Sequence, residues 1–137
     1  MKQSQENLGG LQCTIFDPVD ANQKPELIVI LCHGFGAPGD DLVPLGQWIC
    51  QQNPGLRETV RFVFPEAPLS LSHMGMPGGR AWWMIDTLAM QRAIESGKPR
   101  GLSREIPEGM PEASARVSEL VKQLMDIHEL TEDRMIL

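Results

Sequence analysis

An unbroken apolar run from Leu27 to Cys32 constrains the fold of this 137-residue chain more than any other feature. A strand that faces water on one side alternates apolar and polar residues, and this run does not alternate. It therefore predicts a strand covered on both faces, as in a parallel sheet. Breakers of regular structure follow at once, at Gly34, Gly36, Pro38 and Gly39. We expect the strand to end in a tight glycine-rich loop.

Strands and helices alternate along the rest of the chain. The patterns predict strands over residues 11–16, 60–64 and 135–137, and helices over residues 42–52, 85–96 and 112–129. Such alternation implies βαβ units and a mainly parallel sheet with flanking helices. The strand over 11–16 is expected at a sheet edge, and Asp40 or Asp41 is expected to cap the first helix.

The two ends of the chain carry separate expectations. Residues 1–10 are polar and end in two glycines, which is typical of a frayed tail. Residues 11–137 would then form one partial domain. The last apolar strand begins at Met135 and has only three residues. We therefore expect the sequence to be a fragment.

Charge and composition exclude several classes of function. Lys and Arg number 12 against 18 Asp and Glu, so the formal net charge is −6. Nucleic-acid binding needs clustered positive charge, so no such partner is expected. No apolar stretch is long enough to span a membrane, and the first residues do not resemble a secretory signal. Three widely spaced cysteines favour a reducing compartment, which predicts a cytoplasmic protein.

A metal site or a cofactor is not expected. The three histidines, His33, His73 and His128, are isolated in sequence, and no Cys-x-x-Cys pair occurs. Metal ligands usually recur at short, regular spacing. The sequence therefore favours chemistry that its own side chains and backbone would perform.

The segment from His33 to Gly39 has three readings. It contains Gly-x-Gly-x-x-Gly, which is typical of dinucleotide binding, but Pro38 lacks an N–H and Gly39 precedes the expected helix. It could also be a glycine turn without a ligand. The third reading uses the whole string, because a strand that ends in His-Gly, followed by a free backbone N–H and another glycine, is typical of an oxyanion loop.

Four segments in order resemble the phospholipase/carboxylesterase family of α/β-hydrolases, the group that includes acyl-protein thioesterases. They cover most of residues 27–137. Each segment corresponds to a recognisable part of that family: the loop after the third strand, the next strand with its Pro-x-Ala-Pro turn, a Trp-bearing loop, and the run that leads to the nucleophile strand. In this chain they are residues 31–42 (LCHGFGAPGDDL), 62–68 (FVFPEAP), 78–83 (GGRAWW) and 130–137 (LTEDRMIL).

The resemblance implies a fold and an activity. The fold would be the N-terminal half of an α/β-hydrolase, and the chain would end at the start of the nucleophile strand. The complete protein would be a serine hydrolase of carboxylic esters or thioesters, with a small ester, an acylated protein or a lysophospholipid as its substrate. It would use no cofactor.

Site residues follow from the same resemblance. The backbone N–H of Phe35 would donate to the oxyanion, and His33, Gly34 and Gly36 would support the oxyanion loop. A substrate pocket would involve three apolar side chains, Met76, Trp82 and Trp83.

The nucleophile does not appear in these 137 residues. In this family it lies in a Gly-x-Ser-x-Gly elbow, and every serine of the chain lacks that frame: Ser4, Ser70, Ser72, Ser96, Ser103, Ser114 and Ser118. No residue is therefore assigned to the catalytic triad, and the chain alone is expected to be inactive. The alternatives are a non-catalytic truncated paralogue or interaction module and, less strongly, a nucleotide-binding βαβ domain.

Overall fold

Seven strands form one large and one small sheet in the computed structural model, which describes residues 2–17, 23–97 and 105–137. The strands are β1 (Lys2–Leu8), β2 (Leu11–Asp17), β3 (Leu27–Ile30), β4 (Val60–Pro65), β5 (Leu69–Ser70), β6 (Arg80–Ala81) and β7 (Met135–Ile136). The large sheet has the order β1-β2-β4-β3-β7, and β5 pairs with β6 separately. The first two pairings are antiparallel, whereas β3 runs parallel to both β4 and β7. The sheet is thus mixed, with a parallel part centred on β3.

Helices occupy the connections between these strands. They are α1 (Val43–Gln52), α2 (Leu56–Thr59), α3 (Thr87–Glu95) and α4 (Met110–His128), with short 3₁₀ turns at Ser72–Met74 and Glu132–Arg134. Among the described residues, none of these helices combines the length and apolar character needed to cross a membrane.

The large sheet is covered on both faces, as the apolar run of β3 predicts. Ile28 and Ile30 point to one face, where Leu120 and Leu124 of α4 pack against them. Val29 points to the opposite face, where it packs against a buried cluster that includes Val43 and Cys50 of α1. Every residue of β4 is buried. Two-sided burial explains why neither strand alternates apolar with polar residues.

Three expectations from the sequence are wrong. Residues 2–8 are not a frayed tail, because they pair along their whole length with β2. For the same reason β2 is not an edge strand; it lies between β1 and β4. Neither Asp40 nor Asp41 caps α1, whose N-cap is Leu42 without a side-chain hydrogen bond. The sequence also predicts a loop over residues 97–111, between the second and third expected helices, and residues 98–104 of it lie outside the described part of the chain.

A buried arginine joins β1, β2 and α4. The guanidinium of Arg61 contacts Glu6 at 2.6 Å and Asp17 at 3.2 Å. Its Nη1 also donates to Nε2 of His128, the last residue of α4, at 3.0 Å. Burial, and then the charge of Arg61, lower the pKa of His128. The neutral imidazole is therefore the form that fits this cluster.

Candidate active site

The candidate site is the loop that follows β3. This loop leaves the carboxyl end of a strand that lies between two parallel neighbours. Ligands of open α/β sheets bind outside the carboxyl ends of such strands. Residues 40–42 separate Gly39 from α1, which begins at Val43. Gly39 is thus not in the first turn of that helix, as the dinucleotide fingerprint requires.

His33 is buried in the wall of this loop, with 3% of its surface exposed. Its Nε2 accepts a hydrogen bond from the backbone N–H of Ala67 at 3.1 Å, so Nε2 carries no proton. In the neutral ring the proton is then on Nδ1, which lies 2.8 Å from the carbonyl oxygen of Gly34 and donates to it. Both ring nitrogens are engaged by the backbone, and neither is left for proton transfer.

The Gly34–Phe35 peptide is fixed in orientation by its own carbonyl. The oxygen of Gly34 accepts from His33 and, at 3.3 Å, from the backbone N–H of Ala37. A trans peptide is planar, so its N–H points away from its carbonyl. Within residues 2–17, 23–97 and 105–137, no acceptor pairs with the N–H of Phe35. The loop therefore presents the N–H of Phe35 in a fixed direction, unpaired among the described residues, at the end of the sheet.

A second segment, residues 79–82, holds the far side of the loop. The backbone of Arg80 accepts from the N–H of Gly36 at 2.9 Å and donates to the carbonyl of Ala37 at 3.0 Å. Trp82 donates its indole N–H to the carbonyl of His33 at 2.8 Å. Gly36 has φ of 84°, a conformation that favours glycine. These bonds give residues 33–37 a defined shape.

The three predicted pocket residues, Met76, Trp82 and Trp83, lie in three different surroundings. Met76 lies beside the loop, because a Cβ added to Gly36 would be 3.5 Å from its sulfur. Trp82 is half-buried against the core and bonds the loop backbone. Trp83 instead lines a cleft of about 480 Å³, which also involves Met84, Ile85, Met90 and Ile106. Those four residues, and the support from Arg80 and Ala67, are not among the residues singled out from the sequence.

The remaining polar candidates do not form a catalytic arrangement in the described residues. Ser70 and Ser72 bond each other at 3.2 Å, and no described hydrogen bond joins either of them to His73. His128 is held by Arg61. No group of three His, Cys, Asp or Glu side chains among the described residues could hold a metal ion.

Comparison with known proteins identifies the family. The model of the family described as Phospholipase/Carboxylesterase matches residues 15–137. A solved structure, that of esterase PE8, superposes with a TM-score of 0.59 at 23% sequence identity. The alignment covers 98% of this chain and 50% of that esterase, so this chain spans about half its length. No curated protein matches. The α/β-hydrolase fold expected from the four segments is confirmed, and the chain belongs to the phospholipase/carboxylesterase family.

Proposed function

We propose that the protein hydrolyses carboxylic esters or thioesters by acyl transfer, and that residues 33–37 form its oxyanion loop. The observation that carries this proposal is the unpaired N–H of Phe35, whose peptide plane His33 and Ala37 hold in place. Membership in the phospholipase/carboxylesterase family supports it. A preorganised N–H stabilises the negative charge of a tetrahedral intermediate because it needs no reorientation during the reaction.

In this mechanism Phe35 and His33 would have different roles. Phe35 would donate one of the two hydrogen bonds to the oxyanion, and a nucleophilic serine, a histidine and an acid would perform acyl transfer. His33 would be a support of the loop and not the catalytic base, because both of its nitrogens are bonded to the backbone. The cleft at Trp83 is mostly apolar, which would suit an acyl chain. Three acidic residues also line it, Asp86, Glu105 and Glu108. An acylated protein and a lysophospholipid are the candidate substrates beyond small esters.

The 137 residues by themselves are proposed to be inactive, since no serine among them lies in a Gly-x-Ser-x-Gly frame. The measurement is hydrolysis of p-nitrophenyl butyrate by the purified chain. We expect no rate above that of an unrelated protein of similar composition. A saturable rate that a serine-directed phosphonate abolishes would show that a serine of this chain is a nucleophile.

The oxyanion assignment is tested in a full-length homologue that carries this loop, at the position that corresponds to Phe35. Phe35→Pro removes the N–H and should lower kcat by about 10²-fold, the usual effect of losing one oxyanion donor. Phe35→Leu keeps the N–H and is the control, with nearly full kcat expected. A folded Phe35→Pro variant with unchanged kcat would refute the assignment.

A non-catalytic interaction module is the alternative function. The observation in its favour is that Ile136 of β7 and Trp48 of α1 are large apolar side chains that remain more than a third exposed. The coding DNA after codon 137 separates the two proposals. A continuation that encodes Gly-x-Ser-x-Gly favours the hydrolase, whereas a stop codon followed by unrelated sequence favours the module.

A further inference from the structure

We propose that Arg80 is a positioning residue for the oxyanion N–H of Phe35, an inference that rests on the proposed function. Arg80 is connected to the oxyanion loop in two ways, directly through its backbone and indirectly through its side chain. Its backbone bonds Gly36 and Ala37 directly. Its side chain reaches the other end of the loop, at His33, through the residues that follow β4.

The guanidinium of Arg80 makes the first contacts of the indirect connection, with the residues that follow β4. Nε of Arg80 donates to the carbonyl of Ala67 at 2.9 Å, and Nη2 donates to the carbonyl of Pro68 at 3.2 Å. The same Nη2 lies 3.8 Å from the carboxylate of Glu66. A planar guanidinium has several donors in a rigid fork, so it can hold two successive carbonyls in one geometry. Residues 66–68 are thereby tied to β6.

The indirect connection continues from Ala67 to the histidine ring. Ala67 is fully buried, and its N–H donates to Nε2 of His33. This bond keeps the proton of His33 on Nδ1 and hence keeps the bond from Nδ1 to the carbonyl of Gly34. Gly34 supplies the carbonyl of the peptide whose N–H belongs to Phe35. If Ala67 were displaced, His33 could adopt the other tautomer, and the N–H of Phe35 would no longer be held in one direction.

Substitutions at position 80 separate the charge of the guanidinium from its planar geometry. A lysine at position 80 would keep the charge beside Glu66, but its donors lie on one nitrogen at the end of a flexible stem, so they do not fix both carbonyls in one geometry as the planar guanidinium does. Arg80→Lys and Arg80→Met are therefore both informative variants. Arg57→Met is the matched control, because Nε of Arg57 also donates to a backbone carbonyl, that of Cys50 at 3.1 Å, and has no described bond to the loop.

The primary experiment is ¹⁵N NMR of the His33 ring in the 137-residue chain, which needs no enzymatic activity. We expect the Nδ1–H tautomer alone in the wild type and in Arg57→Met, and a mixture with Nε2–H in Arg80→Met and Arg80→Lys. Protection of the Gly36 amide from hydrogen exchange should fall by about tenfold in the same two variants, since the local opening becomes easier. A wild-type spectrum with Nε2–H, or folded Arg80 variants with an unchanged tautomer, would overturn the proposal. Arg80→Lys keeps the positive charge beside Glu66 and is the milder variant, so it provides the test if Arg80→Met does not fold.

A second readout separates this inference from the proposed function. In a full-length homologue that carries this loop and this arginine, the change that corresponds to Arg80→Lys should lower kcat by about tenfold and leave KM unchanged, because the oxyanion N–H acts mainly in the transition state. A changed tautomer with a lowered kcat supports both proposals. A changed tautomer with an unchanged kcat would refute the role of Phe35 in catalysis, while the link from Arg80 to His33 would stand. An unchanged tautomer with a lowered kcat would refute the positioning role alone.

Discussion

Gly46 of α1 provides a stringent test of how this helix packs on the sheet. A Cβ added to Gly46 would lie 2.5 Å from Cζ and 3.2 Å from Cε1 of Phe64. Carbon atoms in contact are normally about 3.5–4.0 Å apart, so Gly46→Ala requires a shift of about 1 Å. The Phe64 ring cannot supply it, because it is buried edge-on against Phe16, with ring centroids 5.2 Å apart, and also packs against Phe62. The helix must move instead.

Two opposing effects determine the result of Gly46→Ala. Alanine in a helix interior is favoured over glycine by about 1 kcal/mol. Overpacking a core costs about 1–3 kcal/mol, and the upper end applies here because the ring is held on two sides. We therefore expect the free energy of unfolding to fall by about 2 kcal/mol. Since α1 follows residues 33–39, the shift should also disturb the start of that helix.

Gly55→Ala is the control, because it is the same chemical change in open space. Gly55 has φ of −62°, which suits alanine, and no atom lies within 4 Å of an added Cβ. It should stabilise the protein by about 0.4–1 kcal/mol by restricting the unfolded chain. Urea unfolding followed by tryptophan fluorescence measures both variants. If Gly46→Ala proved as stabilising as Gly55→Ala, the close packing of α1 on Phe64 would be wrong.

Three further predictions concern other parts of the molecule. The lowered pKa of His128 means that its stabilising contribution is complete above the ordinary value of 6.5 and is lost as pH falls towards the lowered value, by up to about 1.4 kcal/mol per pH unit. Urea melts at several pH values should show this slope, and His128→Gln should flatten it; an unchanged slope would contradict the contact with Arg61. Gly79→Ala places a Cβ 2.9 Å from the carbonyl oxygen of Gly36 and should lower the free energy of unfolding by about 1–3 kcal/mol in the same assay; a neutral effect would argue against the close approach. Ile136 is half exposed on a short strand, so the chain should self-associate with rising concentration in sedimentation velocity, and Ile136→Lys should reduce that association; equal behaviour of the two proteins would exclude this strand as the contact.

The parallel core of the fold was predictable from the sequence because hydrophobic pattern alone specifies it. The apolar runs at 27–32 and 60–64 correspond to β3 and β4, and the apolar spacing over 112–129 corresponds to α4. Residues 2–8 were not predictable in this way. Their sequence, KQSQENL, is polar, and they form β1 because their backbone pairs with β2 and because Arg61 offers a buried charge to Glu6. The first cause is local, because β1 and β2 form a hairpin across Gly9 and Gly10, whereas the second comes from a residue distant in the chain.

The candidate site, too, is predictable only where local sequence determines it. The positions of Phe35 and its neighbouring glycines follow from local sequence, since a strand that ends in His-Gly and then loops requires a particular backbone. The support from Arg80 does not, because a single arginine in a long Pro- and Gly-rich segment carries no periodic signal. Its role depends on the pairing of β5 with β6, which places the Arg80 side chain against the carbonyls of Ala67 and Pro68. The oxyanion N–H that we propose for Phe35 would therefore be specified by two kinds of information: a local motif that creates the donor, and long-range contacts that fix its direction.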